Sequence, residues 1–184
     1  MPVLRIEGYV IVSADGMLAD ADGVMPDTLK FEGDKRFFTA ALDRADLIVH
    51  GRRSFEDQPH SPQRQRIVLT RAVGTTAPDP SNPKATLWNP AGASFDAACE
   101  QAGVERGTVA VIGGPEVFGM FMDRFCTFWL SQAPRVRLPH GQPCFPGVPA
   151  QSPQAILAAH GLRAGEAEIL DAADDVRVTP WRRP

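Results

Sequence analysis

The sequence is poor in the residues that build disulfide or zinc frameworks. Its three cysteines, Cys99, Cys126 and Cys144, are odd in number and far apart, so they fit neither a disulfide framework nor a CxxC metal site. The four histidines are equally scattered and form neither an HxxxH nor an HExxH pair. We therefore expect buried or half-buried thiols in a reducing compartment, and no bound metal.

A secretory signal, a membrane span and an excess of positive charge are also missing. Met1–Glu7 lacks the apolar run followed by small residues that a secretory signal needs. No stretch approaches the roughly eighteen uninterrupted apolar residues of a membrane helix. The formal net charge is -3, so no global basic field attracts nucleic acid or an anionic membrane. We expect a cytoplasmic protein with neither partner, in which any bound anion is held by a local site.

What the sequence does contain is an alternation of apolar strands and amphipathic helices. Several strands are almost continuously apolar, as in Leu47–Val49 and Val109–Ile112, which favours a sheet covered on both faces. No internal repeat or dividing linker is present, so we predict a single α/β domain over residues 1–184, with a mixed, mostly parallel central sheet flanked by helices. The predicted strands are Val3–Val12, Leu47–His50, Arg66–Thr70, Ala85–Trp88, Thr108–Ile112, Cys126–Ser131 and Val176–Thr179, and the predicted helices are Asp34–Ala45, Ser94–Ala102, Pro115–Phe125 and one from Ser152-Pro153 to Gly161.

Two proline-rich segments resist this assignment. Residues 74–94 contain four prolines, and only a short strand is expected within them. Residues 134–153 contain six prolines and are expected to wrap the surface as an extended loop.

Three of the apolar strands end in residues that could bind an anion. Gly51–Ser54 follows the first, Thr70–Arg71 the second and Gly113–Glu116 the third. Glycine lets the backbone approach a ligand, arginine can bind two phosphate oxygens at once, and a helix that begins after such a glycine adds N–H donors. Each segment alone could be a solvated turn. Because ligands bind outside the carboxyl ends of strands in such sheets, the three together predict a dinucleotide site with one additional phosphate.

Asp34 is the candidate active-site carboxylate. It precedes Phe37–Phe38 on a predicted helix and follows an irregular Gly- and Asp-rich segment, Ser13–Pro26, that could serve as a lid. A sequestered carboxylate with a raised pKa could bind the amidine-like edge of a heterocycle and assist protonation when a C=N bond is reduced. Alternatively, Asp34 is a solvent-facing residue of the first helical turn, stabilised by the helix dipole. Asp27 and Glu32 are rival carboxylates.

From about residue 3 to about residue 147, the sequence resembles the dihydrofolate reductase superfamily, which includes the reductases of riboflavin biosynthesis. The strongest anchors are Leu47–Glu56 and Val111–Phe118, which look like the two cofactor-phosphate segments of that superfamily in order and in separation. The resemblance implies a dihydrofolate-reductase-like fold and NADPH as the cofactor. It places Phe118 near the nicotinamide and implies a peptide bond between Gly113 and Gly114 that is typically cis. The residues that would bind the cofactor are Leu18, Gly51, Arg52, Arg53, Ser54, Thr70, Arg71, Ile112, Gly113, Gly114, Pro115, Glu116, Val117 and Phe118.

The resemblance also implies a substrate site. Asp34 would correspond to the carboxylate that binds the pterin, with Phe38 beside the substrate and Ser131 supporting the carboxylate. Arg64 looks like the arginine that pairs with the glutamate carboxylate of folate. If the substrate instead carries a ribose phosphate, Arg64 or Arg66 could bind that group.

Other features point to the riboflavin branch of the superfamily. Ser13-x-Asp15-Gly16 and Gly114–Glu116 are more like the reductases of that pathway, whereas the tail from residue 151 to residue 184 matches poorly. We expect hydride transfer from NADPH to dihydrofolate or a related pterin. The alternatives are a stand-alone reductase acting on a 5-amino-6-(phosphoribosylamino)uracil-type substrate and a non-catalytic NADP-binding module. A homodimer is an open alternative, because riboflavin-type relatives are often dimers.

Overall fold

Each predicted strand and helix is present in the computed structural model, which describes residues 3–184. Met1 and Pro2, on which part of the expectation about a secretory signal rests, lie outside the described residues. Short 3-10 turns cover Asp27–Leu29 and Ser61–Gln63. The helices are α1 Glu32–Arg44, α2 Phe95–Ala102, α3 Pro115–Phe121 and α4 Pro153–Ala159, and the strands are β1 Leu4–Ser13, β2 Met17–Ala19, β3 Leu47–Gly51, β4 Arg66–Leu69, β5 Thr76–Asp79, β6 Asn82–Trp88, β7 Gly107–Val111, β8 Thr127–Ala133, β9 Gln142–Pro143, β10 Arg163–Ala164, β11 Glu168–Asp171 and β12 Val176–Arg182.

The central sheet is mixed and mostly parallel, as predicted. Its order is β10-β12-β8-β1-β7-β3-β4-β6-β5, and β11 also pairs with β12. The neighbours from β8 to β6 run parallel, whereas β5, β12 and the strands that pair with β12 are added antiparallel. The carboxyl ends of β1, β3, β4, β6, β7 and β8 therefore meet at one edge of the sheet.

Helices cover both faces of this sheet, which makes a single α/β domain. Alternate residues of β1 point to opposite faces. Ile6 and Val12 pack into a large cluster to which α2, α3 and α4 contribute, whereas Tyr9 packs under α1 against Leu42. Serine caps fix two of the helix starts, because the hydroxyls of Ser94 and Ser152 accept N–H groups of the first turns of α2 and α4.

The proline-rich segments are more ordered than predicted. β5 pairs with β6 although it contains Pro78, because β5 is an edge strand where a missing N–H need not interrupt the ladder. Within residues 134–153, Cys144 and Phe145 are fully buried, and β9 pairs with β2. This segment therefore contributes to the core, and the prediction of a loop that only wraps the surface was wrong.

The poorly matched tail extends the sheet and covers the start of α1. β12 pairs antiparallel with β8, and β11 packs against the first turn of α1. A Cβ atom on Gly33 would collide with the carbonyl oxygen of Leu170 in β11, so close approach of the two backbones requires glycine at this position.

The three cysteines form no disulfide with one another. Cys99 and Cys144 are buried, and burial raises the pKa of the Cys99 thiol to about 11 and that of Cys144 to about 12. Within residues 3–184, none of the helices is long and apolar enough to cross a membrane, and there is no cluster of three metal-ligating side chains.

Candidate cofactor and substrate site

Two of the three predicted anion-binding strand ends lie side by side. The N–H of Gly51, at the end of β3, donates to the carbonyl oxygen of Gly113 after β7, over 2.8 Å. The Gly113–Gly114 peptide bond is cis, as the resemblance implied. A Cβ atom on Gly113 would lie 3.2 Å from Oγ of Ser54, so glycine here leaves room for a close approach of the backbone and the serine hydroxyl. The two segments therefore form one surface at the carboxyl edge of the sheet.

No helix directly follows Gly51 in the structure. The chain makes a turn in which the N–H of Ser54 donates to the carbonyl oxygen of Gly51 over 3.1 Å, and it then remains irregular. The side chain of Glu56 is drawn inward to buried arginines, which holds the chain away from a helical path. Arg52 and Arg53 stay exposed at this turn, so their guanidinium groups and the backbone are the donors that the segment offers.

The third strand end lies on the other side of β3, after β4. The N–H of Thr70 donates to the carbonyl oxygen of Trp88 over 2.9 Å, and its Oγ1 accepts the N–H of Ala72 over 3.1 Å. The hydroxyl of Thr70 thus shapes the turn. Arg71 is exposed there.

Residues of α3 support the surface from below. Phe118 is fully buried, and its ring packs edge-to-face on Phe128 and Phe145, with centroids 5.3 Å and 5.8 Å away. The structure gives no support to direct contact between Phe118 and a nicotinamide ring, because the side chain has no exposed surface. Val117 is also buried, whereas Glu116 is exposed and Pro115 forms the first residue of the helix.

Asp34 lies on the first turn of α1, next to Ser131 of β8. Burial raises the pKa of Asp34 to about 6, and a hydrogen bond from the Ser131 hydroxyl limits this rise. Ser131 itself is buried. Asp34 is half-buried, so it does not project freely into solvent as the alternative held.

The rival carboxylates lie in a different environment. The side chain of Asp27 is 98% exposed and pairs only with exposed Lys30, and Glu32 is exposed. Of the three acidic residues that the sequence left open, Asp34 alone is half-buried.

An aromatic wall lies beside Asp34. Phe38 and Ile112 both pack against the buried cluster that contains Tyr9, and both remain partly exposed. Ile112 immediately precedes Gly113. The buried cluster around Tyr9 is thus contacted both from α1, through Phe38, and from the residue before the glycine segment, Ile112.

The predicted lid is tied down at its start. The Ser13 hydroxyl bonds to the carboxylate of Asp15 and accepts the N–H of Met17 over 3.0 Å, and Asp15 accepts the N–H of Leu138 over 3.1 Å. Although partial burial pushes the pKa of Asp15 upward, these hydrogen bonds outweigh it and hold the pKa below its ordinary value. Met17 is buried and Leu18 half-buried. Ser13-x-Asp15-Gly16 is thus a structural motif that joins β1 to residues 134–153. The sequence analysis did not predict this structural role.

Arg64 is already neutralised within the protein. Its Nη1 donates to Oε2 of Glu56 over 2.8 Å and to Oε1 of Gln58 over 2.7 Å, and its Nη2 donates to Oδ1 of Asp43 over 2.6 Å. The hydrogen bond from Arg64 holds the pKa of Asp43 below its ordinary value. Arg64 lines a cleft of about 490 Å³ at the amino ends of β3 and β4, opposite the glycine surface. Its predicted pairing with a substrate carboxylate finds no support in this arrangement.

Arg66 is also withdrawn from ligands. It is 1% exposed and pairs with Glu56, so it presents no free group to a ribose phosphate.

No family model matches the sequence, and a search of curated proteins finds no match. Solved structures do match over nearly the whole chain. A protein assigned to riboflavin biosynthesis from Shewanella sp. PV-4 is 22% identical, with a TM-score of 0.68 and coverage of 98% of this chain and 99% of that one. Dihydrofolate reductase from Enterococcus faecalis, complexed with NADP(H) and RAB-propyl, is 15% identical, with a TM-score of 0.65 and coverage of 97% and 96%.

A third structure is the diaminohydroxyphosphoribosylaminopyrimidine deaminase/5-amino-6-(5-phosphoribosylamino)uracil reductase from Thermotoga maritima. It is 15% identical, with a TM-score of 0.64, and the match covers 98% of this chain and 56% of that one. At these identities the likeness shows the fold alone. The chain therefore has the dihydrofolate-reductase-like fold.

Proposed function

We propose that the protein is an NADPH-dependent reductase that transfers hydride to the C=N bond of a pterin-type heterocycle. The observation that carries this proposal is the half-buried carboxylate of Asp34 beside Ser131, whose pKa is raised to about 6, in a chain whose paired glycine segments at the carboxyl edge of the sheet suit a dinucleotide.

The residues at the carboxyl edge fit the proposed cofactor. Gly113 and Gly114 leave backbone accessible, and exposed Arg52, Arg53 and Arg71 supply positive charge where a pyrophosphate and a further phosphate would bind. This local charge matters because the chain as a whole is acidic. When bound, NADPH supplies the hydride.

The residues beside α1 fit the proposed substrate. In its ionised form, Asp34 accepts two N–H groups from an amidine-like edge, and Phe38 and Ile112 pack on the ring. Reduction places the hydride on carbon and a proton on nitrogen. With a pKa of about 6, Asp34 holds a proton in about a tenth of molecules at pH 7, gives it up to the ring nitrogen, directly or through water, and regains it from solvent.

The direct test follows the absorbance of NADPH with purified protein and dihydrofolate. We expect oxidation that requires both compounds and that falls at least about a hundredfold in Asp34→Asn, the typical contribution of an acid–base group. Asp27→Asn is the matched control, because its side chain is 98% exposed, and it should retain wild-type activity. Binding of NADPH without turnover of any heterocycle would instead identify a non-catalytic NADP-binding module.

A second candidate is a reductase of a riboflavin-pathway pyrimidine. The observation that favours it is the engagement of Arg64 by Glu56, Gln58 and Asp43, which removes the predicted receptor for the glutamate of folate. The full-length likeness to the Shewanella protein is consistent with it. Supplying a 5-amino-6-(phosphoribosylamino)uracil-type compound in the same assay separates the two, since turnover of that compound without turnover of dihydrofolate selects the second.

A further inference from the structure

A buried histidine lies directly before the glycine that opens the first phosphate segment. His50 of β3 is 1% exposed. Its Nδ1 is 2.6 Å from the carbonyl oxygen of Gly51, and its Nε2 is 3.0 Å from Nη1 of Arg66. A carbonyl oxygen only accepts and a guanidinium only donates, so Nδ1 carries the proton and Nε2 accepts. These two contacts specify a neutral imidazole in the Nδ1–H form.

Arg66 is held in place from its other side. Its Nη1 also donates to Oε1 of Glu56, its Nη2 donates to the carbonyl oxygen of Ser61 over 3.0 Å, and the ring of Phe55 lies 4.6 Å from the guanidinium carbon. Burial raises the pKa of Glu56, but hydrogen bonds from Arg66 and Arg64 outweigh it and hold the pKa below its ordinary value. Buried ion pairs of this kind often contribute little net stability, because desolvation offsets the attraction. A role in orienting neighbouring groups is therefore the better explanation.

The group that this chain of contacts orients is the first peptide of the turn at Gly51. The Gly51 carbonyl accepts from His50 and from the N–H of Ser54, and the Gly51 N–H donates to Gly113. The peptide bond between Gly51 and Arg52 is trans. In a trans peptide the C=O and the following N–H point in opposite directions. Holding the carbonyl toward His50 therefore directs the N–H of Arg52 away from the protein interior.

We infer that Glu56, Arg66 and His50 are positioning residues that orient the Gly51–Ser54 turn for the pyrophosphate of the dinucleotide. This inference rests on the proposed function, and it assigns no contact with the phosphates to any of the three residues. These contacts run from a carboxylate through a guanidinium and a neutral imidazole to one backbone carbonyl, and all three side chains are buried.

Two substitutions of His50 separate positioning from packing. In His50→Gln, a side-chain amide can still donate to Gly51 and accept from Arg66, whereas His50→Leu can do neither. We expect the Kd for NADPH, measured by fluorescence titration, to rise about tenfold in His50→Leu, the effect of one lost hydrogen bond, and to stay within about threefold of wild type in His50→Gln. The KM for NADPH should rise in parallel, while kcat at saturating NADPH changes little.

Val49→Ala is the matched control for lost stability. Val49 is the fully buried neighbour of His50 on β3, so its truncation weakens the fold. The Val49 side chain takes no part in the contacts that join Glu56, Arg66 and His50. The Kd for NADPH in Val49→Ala should therefore stay at the wild-type value.

The state of the imidazole provides a test on the wild-type protein, in which only the assignment uses the conservative variant His50→Gln. Protein labelled with nitrogen-15 histidine should show His50 as a neutral ring with the proton on Nδ1, with the resonance assigned by its loss in His50→Gln. A charged ring or the Nε2–H form overturns the inference. An unchanged Kd in His50→Leu overturns it as well but leaves the reductase proposal intact, whereas wild-type protein that does not bind NADPH overturns both.

Discussion

Replacing Asp34 by asparagine should stabilise the folded protein while it removes the proposed activity. Burial raises the pKa of Asp34 from its ordinary value of 3.8 to about 6. A carboxyl group whose pKa is higher in the folded than in the unfolded state destabilises the fold when it is ionised, at about 1.4 kcal/mol per pKa unit. The ionised group therefore costs on the order of 3 kcal/mol at neutral pH. Asparagine is never ionised and can still bond to the Ser131 hydroxyl.

The pH dependence gives this prediction its signature. The stability difference between Asp34→Asn and wild type should be about 3 kcal/mol above pH 7, decline between about pH 6 and pH 4, and vanish below, where the carboxyl is protonated in both states. Wild type also contains groups whose ionisation changes the stability in the opposite direction as the pH falls. The pKa values of Asp15, Asp43, Glu56 and His50 are lowered by folding, so their contributions are lost as the pH falls. Because both proteins contain these groups, the difference curve isolates Asp34.

Urea unfolding followed by tryptophan fluorescence at several pH values from about 4 to 8 measures the difference. Asp27→Asn is the control and should stay within about 0.5 kcal/mol of wild type throughout, because it changes an exposed residue. A variant that is no more stable than wild type at pH 8, or a difference that does not change with pH, would refute the burial of an ionised carboxylate at this position.

Four further predictions follow from the same geometry. The kcat/KM of the wild type should fall as the pH rises above about 6, because the protonated fraction of Asp34 declines, and a flat pH profile would contradict its role as proton donor. Ser131→Ala removes a hydrogen bond that favours the ionised carboxylate, so the fall should move to higher pH, whereas Ser131→Thr keeps a hydroxyl and should leave it in place. Gly33→Ala should lower the free energy of unfolding by about 1–3 kcal/mol because its methyl group collides with the backbone of β11, while Gly74→Ala, with open space around it, should not. Arg71→Ala should raise the KM for NADPH but not for NADH, at unchanged stability, because Arg71 is exposed.

Apolar periodicity predicted the longer elements because each of them must bury a face over many residues. Helix α1 has a stripe that packs on Tyr9, and the continuous runs of β3 and β7 lie between other strands. These patterns can be recognised in the sequence without knowing which strands pair with one another. In contrast, β2 and β9 contain only three and two residues, which is too few to show a period. Their pairing also depends on the Asp15–Leu138 hydrogen bond, which joins distant parts of the chain.

The candidate site likewise has one part that the sequence predicted and one part that it could not predict. The three strand ends predicted one shared site at the carboxyl edge, and the pairing of β3 with β7 in the structure places Gly51 next to Gly113. The burial of Asp34 could not be predicted, because β8 supplies Ser131 and β11 covers the first turn of α1. Nothing in the local sequence distinguishes that turn from a solvent-exposed one.

The arginines show why a motif alone does not identify a ligand site. A guanidinium recruits an anion only if the protein has not already paired it, and the pairing of Arg64 and Arg66 with Glu56 is visible only in the fold. Arg52 and Arg71, in contrast, are exposed, and they follow strands at the carboxyl edge of the sheet. These exposed guanidinium groups lie where the proposed dinucleotide would carry its phosphates, whereas Arg64 is already paired where the tail of a folate would need it. Under the proposed function, the substrate would therefore be recognised through its ring, by the carboxylate of Asp34 and the side chains of Phe38 and Ile112.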